Sequence, residues 1–106
     1  VELTEDQSYY AVIFTSIQAE NTSGYAEMAA KMENLAQKLP GYLGMEHARS
    51  ELGITISYWK TEAAIASWKS QVDHLVAQKS GKDKWYSKYS VRVCKVEREY
   101  HFNTEN

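Results

Sequence analysis

Few side chains in this sequence could do chemistry: three histidines, one cysteine, and scattered arginines, tryptophans and tyrosines. His74 lies in a helical stretch. A neutral imidazole accepts a proton near pH 7, so His74 is the first candidate for a general base. Helix periodicity sets a condition on that role. With Ile65, Trp68, Val72 and Val76 on the buried side, an unbroken helix places His74 on the far face with Gln71 and Gln78. A break near Ser70 and Gln71 would turn it inward; otherwise it is a solvated or capping histidine. His47, in a strand, is a second candidate, and His101 lies near the C-terminal end. Cys94 sits among apolar strand residues, where nothing marks it as a low-pKa nucleophile. These residues occur on separate elements without ligand spacing, so no bound metal is expected. Trp85 and Tyr86 stand just ahead of the last strand, where they could close the mouth of a pocket or plug an interface.

The elements that must position these residues can be read from patterning. Tyr9–Ile17 is rich in β-branched and aromatic residues and predicts strand 1. Asn21, Thr22 and Ser23 offer caps for a helix that runs to about Leu39. Its apolar residues, Tyr25, Met28, Ala29, Met32, Leu35, Ala36 and Leu39, recur at spacings of three and four. Pro40-Gly41 stops it. Tyr42–Ser50 predicts strand 2, with Gly44 a candidate bulge. Ile54–Lys60 predicts strand 3, with Ile54, Ile56 and Tyr58 on one face and Thr55, Ser57 and Trp59 on the other. Thr61 caps a second helix, buried along Ile65, Trp68, Val72, Leu75 and Val76 and ending by Gly81. Tyr89–Phe102 predicts strand 4, long enough to extend past its own sheet. Residues 1–8 are expected to be a flexible segment, 9–102 the folded domain and 103–106 a tail.

The 106 residues fit one domain that needs no disulfide or structural metal. The net charge of −2 lacks the basic surface that nucleic acid requires. The densest basic stretch, Lys79–Lys88, is interrupted by Asp83 and aromatics and reads as a solvated helix end. No apolar run approaches the roughly 20 residues that span a bilayer, and no signal peptide is visible. The single Cys94 excludes an internal disulfide and fits a cytoplasmic location.

The order β-α-β-β-α-β, with right-handed crossovers, predicts an α+β ferredoxin-like fold: a four-stranded antiparallel sheet with both helices on one face. Strand 1 carries Tyr9, Ile13 and Ile17 on one face and Tyr10, Val12 and Phe14 on the other. The face without helices should therefore bury itself, most simply in a homodimer with sheets packed face to face.

Three stretches, PGYLGME, GITISYWKTEAAIASWK and HLVAQKSGKDKWYSKYSVRVCKVE, together resemble the antibiotic biosynthesis monooxygenase family of dimeric α+β barrels. The resemblance covers about Tyr9 to Phe102. It implies an oxygenase that uses no metal or flavin: a phenolic substrate loses a proton, and the electron-rich anion reacts with oxygen directly. It also implies that Trp59 lines a cavity between sheet and helices, against the alternative of an ordinary core tryptophan. Thr55 stands where the family's monooxygenases carry an asparagine, and its hydroxyl can still donate a hydrogen bond. Arg92 is similar in place to an arginine that faces an anionic substrate; a sheet-edge or interface salt bridge is the alternative.

The candidate catalytic residues are therefore His74 and Arg92, and the candidate substrate-binding residues are Trp59, Thr55, Trp68, Trp85 and Tyr86. No cofactor is expected. The family's haem-degrading branch fits poorly, because strand 1 has no asparagine and His74 follows Trp68 too closely. The function expected is cofactor-independent monooxygenation of a small aromatic or polyketide-like molecule. The alternatives are a non-catalytic ligand-binding or sensor domain, or a dimerisation unit, on the same scaffold.

Overall fold

A computed structural model describes residues 8–19, 25–78 and 86–104 of the chain. The elements run β1 (Tyr9–Gln18), α1 (Tyr25–Lys38), β2 (Tyr42–Arg49), β3 (Gly53–Trp59), α2 (Glu62–Gln78) and β4 (Tyr86–Val96). The strands form one antiparallel sheet in the order β2-β3-β1-β4. This is the expected ferredoxin-like arrangement.

Local chemistry explains the boundaries. The backbone turns at Pro40-Gly41, and Lys60 N donates to Gly41 O at 2.8 Å, tying the start of β2 to the end of β3. The bulge expected at Gly44 is present: the β2–β3 register shifts between Tyr42 and Gly44, and Gly44 has φ +153°. Thr61 Oγ1 accepts from Ala64 N at 3.1 Å and caps α2, with Glu62 in the first turn. The candidate caps Asn21, Thr22 and Ser23 lie outside the described residues.

α2 runs without a break through Ser70 and Gln71, as the periodicity reading assumed. One expectation needs adjustment. β4 begins three residues earlier than Tyr89 and ends at Val96 rather than Phe102. The partner strand sets that limit, because Val96 pairs with Tyr9, the first residue of β1. Beyond it the chain leaves the ladder, and Tyr100 and Phe102 are exposed.

The two faces of the sheet separate by register, since directly paired residues project from the same side. On the helix side Val12, Ala36, Trp59 and Ile65 form the buried core, with Tyr10, Leu39, Tyr42, Ala64 and Trp68 packed against it. Trp68 Nε1 donates to Met32 O at 3.2 Å and joins the two helices. The other side carries Tyr9, Ile13, Ile17, Ile54, Ile56 and Tyr58. Among the described residues no helix covers it, and Ile17 and Ile54 remain exposed. Among the described residues no helix is long and apolar enough to cross a membrane.

Candidate functional site

The helix-facing side of the sheet changes character along its length, and the register resolves it into four transverse rows. The first two hold Tyr42, Trp59, Tyr10 and Lys95, then Met45, Ser57, Val12 and Val93. This is the packed end. Trp59 is 0% exposed, and its Nε1 donates to Ser57 Oγ at 2.9 Å. Its ring lies 5.4 Å from that of Tyr42 and 5.3 Å from that of Trp68.

The other two rows hold His47, Thr55, Phe14 and Val91, then Arg49, Gly53, Ser16 and Tyr89. Here the surface is polar and aromatic. Arg49 Nη2 donates to Ser16 Oγ at 2.5 Å, reaching from β2 across β3 to β1. Gly53 makes that reach possible. A Cβ there would come within 2.1 Å of the guanidinium, so the glycine is needed for space. Ser16 is buried, whereas Arg49 and His47 are exposed. Phe14 and Tyr89 have ring centroids 5.5 Å apart and form an aromatic wall beside this group. His47 and Thr55 are directly paired across β2 and β3. A fixed cation, an imidazole, a hydroxyl and an aromatic wall on one face can hold a flat acidic ligand, accept its proton and stabilise its anion.

The sequence candidates distribute unevenly over this frame. Trp59 and Trp68 meet at the packed end, and Thr55 lies farther along the same face, at the Arg49 end. Arg92 pairs with Ile13 and so lies on the opposite face; within one chain it does not meet Trp59 or Thr55. His74 lies within α2, and Tyr86 opens β4 opposite Gln18; their side chains, and Trp85 altogether, lie outside the described residues. Arg49 and Ser16 escaped sequence reasoning, and His47 ranked low. The available signal was a glycine opposite an arginine across a short hairpin.

A second feature lies on the open face. Tyr9, Leu43, Glu46, Tyr58 and Glu99 line a shallow groove of about 350 Å³. Tyr58 Oη donates to Glu46 at 2.7 Å, and Tyr9 Oη to Glu99 at 2.8 Å. The bond to Glu46, with partial burial, pushes the Tyr58 phenol up to about 12. Tyr9 is raised by burial and by Glu99, whose carboxyl is held low chiefly by the Tyr9 hydroxyl. Both phenols are therefore neutral donors at ordinary pH. Among the described residues, no three His, Cys, Asp or Glu side chains converge as a metal site.

No family model matches the chain. It is 45% identical over 98 residues to the uncharacterised protein YqjZ of Bacillus subtilis, covering 91% of this chain and 86% of that one. Among solved structures it resembles SnoaB, a cofactor-independent oxygenase from Streptomyces nogalater. The TM-score is 0.66 at 10% identity, over 87% of this chain and 95% of that one. It also resembles a candidate antibiotic biosynthesis monooxygenase from Nitrosomonas europaea, with TM-score 0.66 at 13% identity, over 90% and 95% of the two chains.

Proposed function

Because this chain belongs to the family of Bacillus subtilis YqjZ and has the antibiotic biosynthesis monooxygenase fold, we propose that it is a cofactor-independent monooxygenase of a small aromatic substrate. The observation that carries this reading is the Arg49 guanidinium laid over Gly53 and bonded to Ser16, beside His47, Thr55 and the Phe14–Tyr89 wall. The substrate ring stacks on the wall. Arg49 pairs with the oxygen that becomes anionic, and Thr55 donates a second hydrogen bond. His47 takes the proton. The carbanion carbon then bonds to molecular oxygen, and loss of water from the hydroperoxide leaves a carbonyl. One oxygen atom enters the product and the other leaves as water.

Oxygen uptake with an anthrone-like substrate tests the reading. The protein is expected to exceed the protein-free rate, and Arg49→Ala to lower kcat/KM by about 10²-fold, the scale of losing one oxyanion donor. Uptake unchanged by protein would remove the enzyme reading. If hydroxyquinone binding persisted, a ligand-binding domain on this scaffold would take its place.

The functional unit in this reading is residues 9–102 in a homodimer joined through the open sheet faces, in a reducing cytoplasm that keeps the exposed Cys94 as a thiol. The exposed isoleucines support the dimer. Sedimentation at micromolar concentration is expected to give twice the chain mass. A monomer at every concentration would sink this part of the reading.

A further inference from the structure

β4 alternates along its length. Tyr89, Val91 and Val93 project to the helix side, and Ser90, Arg92 and Cys94 to the open side. A strand with such alternation ordinarily buries its apolar face. Among the described residues this one does not. α1 packs on β2 and α2 on β3, which leaves the β4 end of the sheet open. Tyr89 is 39% exposed, Val91 40% and Val93 50%. The three form an apolar strip that starts at the Phe14–Tyr89 wall and runs toward Lys95, the next residue on that face. Lys95 is exposed and ends the strip with a charge.

We propose that the substrate of this site is a hydroxyarene bearing a linear alkyl group, and that the alkyl group lies along Val91 and Val93. The proposal rests on the reading of the Arg49 end as the oxygenase site and adds the class of molecule it takes. Size, continuity and charge select this occupant. From Tyr89 to Val93 the strip is one strand wide, roughly 5 Å by 13 Å. A stable protein partner needs about 800 Å² on each side, an order of magnitude more. The strip continues the aromatic wall, so a ring stacked there can set its acidic oxygen on Arg49 and a substituent on the valines. Arg49 is free to take that oxygen, since among the described residues no carboxylate forms an ion pair with it. Lys95 sets a length. With the ring over Tyr89, the run from Val91 to Lys95 holds an extended alkyl group of roughly eight carbons. A shorter one leaves valine surface in water, and a longer one passes the ammonium and gains little.

Titration calorimetry on the full chain tests it, with hydroxynaphthoquinones that carry no alkyl group or linear ones of four, eight and twelve carbons, each kept below the concentration at which it aggregates. A methylene laid with one side against the strip is expected to raise affinity about twofold. The eight-carbon probe should then bind on the order of a hundredfold tighter than the bare ring, and the twelve-carbon probe within about threefold of the eight-carbon one. Val93→Asp should remove most of that gain. Val93→Thr keeps the shape and the strand preference, should remove part of it, and serves if the aspartate variant does not fold. Lys95→Leu should move the plateau, so that the twelve-carbon probe gains about fivefold, which a purely structural role for β4 would not produce. Arg49→Ala should weaken every probe by a similar factor and keep the dependence on length. Affinity that is flat with length, or a rise that survives in both Val93 variants, would overturn the proposal. A flat series with self-association that Val93→Asp reverses would also overturn it and assign the strip to a second copy. Oxygen uptake on the same probes separates this proposal from the reading it rests on. Turnover of the bare ring with a flat series removes the alkyl group and leaves the oxygenase. A steep series without turnover supports the ligand class and removes the enzyme. No binding by any probe overturns both.

Discussion

Trp59→Ala is expected to lower the folding free energy by about 3–5 kcal/mol, the scale of removing a large aromatic from a packed core. For a domain whose whole stability is about 5–15 kcal/mol, that is a large share of it. The reason is local. Trp59 has no exposed surface, and its ring is enclosed by Tyr42 and Trp68 within the cluster built on Val12, Ala36 and Ile65. Alanine would leave a void that both helices border. Trp59→Phe should cost less, about 1–2 kcal/mol, because most of the apolar bulk remains. The hydrogen bond lost is the one from the indole to the buried Ser57 hydroxyl. Urea titration of the three proteins measures both values. A loss below about 1 kcal/mol for the alanine variant would mean that Trp59 borders open space, and would move the ligand site toward the packed end.

Gly53→Ala should do the opposite: little to stability and much to activity. Gly53 does not occupy the left-handed region, so alanine suits its backbone. The added methyl would collide with the Arg49 guanidinium, the far end of a flexible side chain that can swing away. Swinging away gives up the bond to Ser16 and the position over the sheet. The expected result is a midpoint shift of no more than a few degrees, consistent with about 1 kcal/mol. With it should come a fall in kcat/KM of about 10²-fold, close to that of Arg49→Ala. Thermal unfolding and oxygen uptake measured on the same preparation separate the two effects. Full activity in Gly53→Ala would show that the placement of Arg49 is irrelevant to turnover.

The elements and their order were legible because they follow from local periodicity. The 3.6-residue stripe from Met28 to Leu39, the alternation from Ile54 to Trp59, the cap at Thr61 and the bulge at Gly44 each act within a few residues of chain. The topology followed from that order, since right-handed crossovers leave few ways to arrange β-α-β-β-α-β. The two-sided apolar character of β1 was also local, and it was enough to raise the question of what covers the open face.

Register is where the sequence ran out. Whether Arg92 shares a face with Trp59, and whether Arg49 can touch Ser16, depend on which residue of one strand opposes which residue of another. A slip of a single position exchanges the faces. The resemblance set Arg92 near an anionic substrate, with a sheet-edge or interface salt bridge as the alternative; the register puts it on the face opposite Trp59 and Thr55. The limit of β4 was hidden for the same reason: its end is set by where β1 begins, 87 residues earlier in the chain. The site at Arg49 needs three strands at once, an arginine from β2, an empty Cα at Gly53 and a buried acceptor on β1. No window of sequence contains all three. Local patterning chose the elements, and only their pairing decided which side chains could act together.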